Sequence, residues 1–144
     1  MSQHHVKISW QKTADQHEEF KLSFEEGGEI IASTDPSKEF NHFLDPEQAY
    51  VASLSNCHML SFLAEAAKKG IAVVHYEDNA VGFLGKNEDG RIAVTRVVLR
   101  PKITFTGEQQ PVGNEIDELH QITHKNCFIA NSVKTKIEIQ SNHD

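Results

Sequence analysis

The segment from Asp45 to Gly70 constrains this chain more than any other part of it. Asp45-Pro46-Glu47 is a helix start. It offers an acid able to cap free N–H groups, a proline whose fixed φ suits the first turn, and a second acid at the positive end of the helix dipole. Lys68-Lys69-Gly70 is the matching stop, with cations at the negative end and then a residue that tolerates left-handed backbone. Between them Ala49, Ala52, Met59, Phe62, Leu63 and Ala66 form a broad apolar surface, and Val51, Leu54 and Leu60 extend it nearly all round. A helix with that pattern is buried on most sides. A chain of 144 residues has little material to wrap it, so burial in a homodimer is the natural remedy. The uncharged stretch Gln48 to Ala64 holds Ser53, Ser55, Asn56, His58 and Ser61, and is too polar and too short to span a membrane.

Strand patterns flank this helix. Val6, Ile8 and Trp10 alternate with polar residues, as do Phe20, Leu22 and Phe24, and Glu25 to Gly28 is a turn leading into Ile30-Ile31-Ala32. Residues 33 to 45 have no period and read as a loop. After Gly70, Ile71 to Tyr76 and Val81 to Leu84 predict strands, then a turn at Asn87 to Gly90 and a long β-branched run from Ile92 to Leu99. Arg100-Pro101 interrupts that run, which resumes at Ile103 to Phe105. Ile116, Leu119, Ile122 and Thr123 mark a second, amphipathic helix ending near Asn126, and Val133 to Ile139 alternates as a last strand. Strands separated by two helices without regular βαβ alternation predict an α+β fold. The length supports one domain over residues 1–144.

The charge balance limits the partners. The net charge is −7 and the pI about 5.7, whereas a nucleic-acid binder carries a basic footprint. The first ten residues, MSQHHVKISW, have neither a basic nor an apolar leader region, which points to a cytoplasmic protein. Two cysteines in such a chain are buried spectators, redox groups or metal ligands rather than a disulfide framework.

Those cysteines are the main candidates for chemistry. Cys57 lies inside the expected buried helix, where a small hydrophobe is the simplest reading. A reactive thiolate there would need a helix N-terminus or a cation to lower its pKa, and Cys57 lies about three turns into the helix. Cys127 follows the second helix, 127 − 57 = 70 residues later, so any pairing of the two is tertiary. His120, His124 and Cys127 recur on one helical face, and Cys57-His58 could complete a zinc site with them. An ordinary helix face explains the same histidines. Neither a Gly-x-Ser-x-Gly elbow nor a phosphate loop occurs. Glu25-Glu26 and Glu88-Asp89 sit in polar turns.

Two stretches taken together, Asp45 to Leu60 and Cys127-Phe128-Ile129-Ala130-Asn131-Ser132-Val133, resemble the OsmC/Ohr family. The likeness runs from about residue 45 to the end and includes Val97-Val98-Leu99-Arg100-Pro101. It implies an OsmC-like fold, with antiparallel sheets around long central helices in an intertwined homodimer. It implies a thiol peroxidase that prefers organic hydroperoxides over hydrogen peroxide, with Cys57 as peroxidatic and Cys127 as resolving cysteine. No cofactor is implied, and the reductant would be a dithiol such as a dihydrolipoyl protein. The family's catalytic glutamate, ten residues before the first cysteine, is Glu47 here. On a continuous helix that separation is about 15 Å, so Glu47 is expected to serve the partner subunit's Cys57. One departure stands out: the family's N-terminal arginine has no counterpart before Arg91. Lys21, Lys38 or another lysine, or Arg91, Arg96 and Arg100 from the strands, are the cations left to replace it. The alternatives are a non-enzymatic thiol or small-ligand-binding protein of the same fold, and a zinc-binding protein.

Overall fold

Alternating apolar and polar residues draw the start of the chain into three short strands. The computed structural model describes residues 2–10, 19–33 and 44–141. In it β1 (Val6–Trp10), β2 (Glu19–Phe24) and β3 (Glu29–Ser33) form an antiparallel sheet in that order. Val6 stands opposite Phe24, Ile8 opposite Leu22, Trp10 opposite Phe20, and Leu22 opposite Ile30. Side chains alternate along a strand, so this register collects the apolar residues on one face. The turn between β2 and β3 needs positive φ, which Gly27 and Gly28 supply at 130° and 88°. Lys38 and most of the expected loop over 33 to 45 lie outside the described residues. These strands belong to a compact unit, Met1–Pro46, and the second unit is Glu47–Asp144.

The long helix α1 (Pro46–Lys68) starts and stops where its punctuation requires. After Lys68 the chain turns through Gly70 at φ 69°, and the N–H groups of Gly70 and Ile71 donate to the carbonyls of Ala67 and Ala66 at 3.1 and 2.9 Å. Carbonyls left open at the helix end are thereby satisfied. The expected burial on most sides is not reached within one chain. A single i, i+4 stripe is buried, Leu54, His58, Phe62 and Ala66, while Leu60 is 57% exposed and Ala52, Ala64 and Ala67 are exposed too.

Five strands and a second helix follow: β4 (Ala72–Asp78), β5 (Val81–Lys86), β6 (Ile92–Leu99), β7 (Pro101–Thr106), α2 (Gly113–Asn126) and β8 (Lys136–Ile139). β4 pairs with β7 and β5 with β6, both antiparallel. β8 joins β6 in parallel, returning by way of α2, because two parallel strands need a crossover between them. The architecture is α+β with two helices and mainly antiparallel sheets. The last strand is shorter than its alternation predicts: Ala130–Ser132 forms a 3-10 turn and pairing begins only at Lys136.

The stripe on α1 anchors two apolar clusters. Leu54 packs with Val97 and Leu99, flanked by Tyr50, Val51, Val94 and Ile137. Phe62 and Ala66 pack with Leu119 of α2, flanked by Tyr76, Ile103 and Phe105. Each fully buried Leu, Val or Phe contributes roughly 1.5–3 kcal/mol. A Cβ on Gly82 would lie 2.6 Å from Val51 Cγ2, so glycine is what lets β5 approach α1 this closely. Among the described residues, no helix is long and apolar enough to cross a membrane.

Candidate functional site

Cys57 lies near the middle of α1, half-buried, one residue before the buried stripe position His58. Two residues earlier, Ser55 Oγ donates to Asp78 Oδ2 at 2.5 Å, and the other oxygen of Asp78 accepts the Arg100 N–H at 2.7 Å. That carboxylate ties the cysteine's turn of α1 to the ends of β4 and β6.

Cys127 is held by the turn that follows α2. At Cys127 the backbone leaves the helix for φ −72°, ψ 115°. Ser132 Oγ then donates to the Phe128 carbonyl at 2.7 Å, Asn131 Nδ2 to the Lys125 carbonyl at 3.0 Å, and the Asn131 N–H to the Cys127 carbonyl at 3.0 Å. Side-chain bonds of this kind compete with strand pairing and favour turns. They close the Cys-Phe-Ile-Ala-Asn-Ser segment around the sulfur, which also accepts the Ala130 N–H at 3.5 Å.

The fold brings the two cysteines together across 70 residues of sequence. Both are free thiols, and Cys57 is a neighbour of Cys127 close enough to act on its titration. Cys127 is only 1% exposed. Burial, and then Cys57 itself, push its thiol up to about 11, against the backbone N–H groups of Ala130 and Ile129, which favour the thiolate. Cys127 is therefore a protonated, sequestered thiol, and Cys57 is the one with access to solvent. Phe128, the next residue in the chain, is 82% exposed.

Beside the cysteines lies a feature that the sequence analysis missed. His58 and His120 are 1% and 4% exposed. Their rings stack at 5.2 Å and 12°, with His58 Nε2 and His120 Nδ1 sharing a hydrogen bond of 2.9 Å. Phe62 closes over His120, ring centroids 4.7 Å apart. Burial, then the neighbouring His120 and His124, lower the His58 pKa from 6.5 to about 3, so the imidazole is neutral near pH 7. The signal was there in the spacing: Leu54, His58, Phe62 and Ala66 are one helical stripe, as are Ile116, Leu119, His120 and Thr123.

The remaining candidates fall as follows. Glu47 is exposed in the first turn of α1, and because the helix is unbroken it lies about 15 Å along the axis from its own Cys57. Arg96 pairs with Glu138 at 3.4 Å and lies over the Phe83 ring, while Arg100 Nε donates to Gln140. The Arg91 N–H closes the Asn87 turn, and Lys21 pairs with Glu29 at 3.5 Å. The zinc arrangement does not form. His58 and His120 bond to each other, and among the described residues no three His, Cys, Asp or Glu side chains are grouped to hold a metal ion.

Comparison with known proteins agrees with the fold. The family model for OsmC-like proteins matches residues 39–142. An OsmC-like protein of unknown function from Vibrio cholerae is similar in structure, with a TM-score of 0.88 and 41% identity over 99% of this chain and 100% of that one. An organic hydroperoxide resistance protein from Legionella pneumophila shares the fold at a TM-score of 0.65 and 16% identity, covering 98% of this chain and 96% of its own. A protein of the same description from Elizabethkingia anophelis gives 0.65 and 17%, covering 97% and 95%. No protein of curated function matches the sequence.

Proposed function

This chain belongs to the OsmC-like protein family, and we propose that it is a thiol-dependent peroxidase that reduces organic hydroperoxides in oxidative-stress defence in the cytoplasm. The observation that carries this reading is the contact between Cys57 and Cys127, one accessible and one buried. The Cys57 thiolate attacks the distal oxygen of the hydroperoxide. The O–O bond breaks, the alcohol leaves with a proton, and Cys57 becomes a sulfenic acid. Cys127 then attacks that sulfur, its proton leaves with the hydroxyl as water, and the Cys57–Cys127 disulfide forms. A dithiol, of which a dihydrolipoyl protein is an example, reduces it by exchange and is itself oxidised to a disulfide.

The burial of Cys127 suits it to the second step rather than the first, because a buried thiol does not meet the peroxide. Cys57 needs a cation to favour its thiolate, and Glu47 serves the partner subunit's Cys57 across a homodimer. The apolar residues that α1 leaves exposed, Leu60 foremost, support that dimer. Leu60, Met59 and Phe128 would give the site its preference for organic peroxides.

A second reading, a thiol or small-ligand-binding protein without peroxidase activity, draws on one observation: Arg96 and Arg100 are engaged with Glu138 and Gln140. Turnover of cumene hydroperoxide with a dihydrolipoamide reducing system separates the two. The peroxidase reading expects turnover in wild type and none in Cys57→Ser. A folded wild-type protein that consumes no peroxide would leave the binding reading.

A further inference from the structure

We infer that the stacked His58–His120 pair is a register lock that presents the Cys127 thiol to Cys57, a positioning role in closing the disulfide. The inference rests on the proposed function only in giving that disulfide a purpose.

Contacts of different kinds hold α1 to α2. Phe62, Ala66 and Leu119 supply apolar contact, which stabilises the pair of helices but is non-directional and tolerates sliding. Asn126 Nδ2 reaches Glu65 Oε1 at 3.3 Å, exposed to solvent. The imidazole bond is different in kind. At 2.9 Å between two buried rings it is short, directional and shielded from competing water. The neutral His58 imidazole carries one N–H and one lone pair, and the bond joins its Nε2 to one specific nitrogen of the other ring, His120 Nδ1. A slide of one helix along the other would break the bond and leave a polar atom unsatisfied in the core, which costs more than the bond contributes.

The two halves of the lock are rigidly joined to the two thiols. His58 follows Cys57 on α1. His120 precedes Cys127 by seven residues, about two turns, which returns to the same side of α2. Fixing His58 against His120 therefore fixes where the end of α2 delivers Cys127. Disulfide closure is sensitive to that placement, because the Cα atoms must come within about 4.4–6.8 Å.

The nitrogens in use give a selective test. The amide of glutamine can stand in for Nε2 and that of asparagine for Nδ1. His58→Gln and His120→Asn thus keep a polar atom where the lock needs it, and His58→Asn and His120→Gln put the same group in the wrong place. The assay is equilibration of the reduced protein in glutathione buffers, where the dithiol and oxidised glutathione give the protein disulfide and two reduced glutathiones. The ratio yields the effective concentration of Cys57 against Cys127. Matched amides are expected within about threefold of wild type. The misplaced amides are expected to lower the effective concentration about tenfold, the loss of one net buried hydrogen bond. If a misplaced amide does not fold, His120→Leu supplies the lost-bond arm. Matched and misplaced variants behaving alike would overturn the lock. No peroxide enters this assay, so the proposed activity and the lock fail or stand separately. Loss of peroxide turnover with the arms still separated removes the former alone.

Discussion

Protonation of His58 gives the fold a defined acid sensitivity. Its imidazole is buried and neutral, with its pKa lowered from 6.5 to about 3 by burial first, then by His120 and His124. In the unfolded chain the same group takes a proton near 6.5. Below that pH the unfolded state binds more protons than the folded state, so stability is lost as pH falls. The loss begins near 6.5, runs at about 1.4 kcal/mol per pH unit, and ends near 3, where the folded state also protonates. At pH 5 it amounts to about 2 kcal/mol, a large share of the roughly 5–15 kcal/mol that holds a domain folded. Urea unfolding at pH 7 and pH 5, at one fixed protein concentration, measures it in wild type and in His58→Gln. Wild type should lose about 2 kcal/mol more than the variant between the two pH values. Whatever slope the variant keeps belongs to the other histidines. Equal losses in the two proteins would refute the reasoning, since His58 would then not be held neutral by burial.

Three further outcomes follow from the packing and the thiols. Gly82→Ala should destabilise the protein by about 1–3 kcal/mol in the same assay, because its Cβ would lie 2.6 Å from Val51 Cγ2. Limited iodoacetamide treatment at pH 8 should label Cys57 well before Cys127, as read by peptide mass spectrometry, since a thiol buried and pushed up to about 11 is about 0.1% ionised there. Leu60→Asp should shift the protein toward monomer in size-exclusion chromatography, because it places a charge on the exposed apolar face of α1 proposed to meet the partner.

Much of this fold was legible in the sequence for local reasons. Pro46 and Gly70 bound α1 by φ preference and by the closing of its last carbonyls, which act within a few residues and need no tertiary context. The β-branched run at Ile92 to Leu99 became a strand, buried at Val97, Val98 and Leu99. The failures were all tertiary. Alternation from Val133 to Ile139 continued through a residue whose side chain is otherwise engaged: Thr135 Oγ1 donates to the Val94 carbonyl and meets the Tyr50 hydroxyl at 2.6 Å. The parallel placement of β8 beside β6 depends on the path of α2, which periodicity does not encode. At the site, the family resemblance supplied the two thiols, and the fold brought them into contact. His58 and His120 were read as a helix face or as metal ligands, because a histidine on an apolar stripe shows its partner only when both helices are placed.

The account stands or falls on what one equivalent of organic peroxide does to the two thiols. Reduced protein should be mixed with one equivalent of cumene hydroperoxide, its thiols counted, and its peptides mapped without reduction. The account predicts loss of both thiols and a Cys57–Cys127 linked peptide within one chain, and a trapped Cys57 sulfenic acid in Cys127→Ser. Two intact thiols after that exposure, in a folded protein, would contradict it.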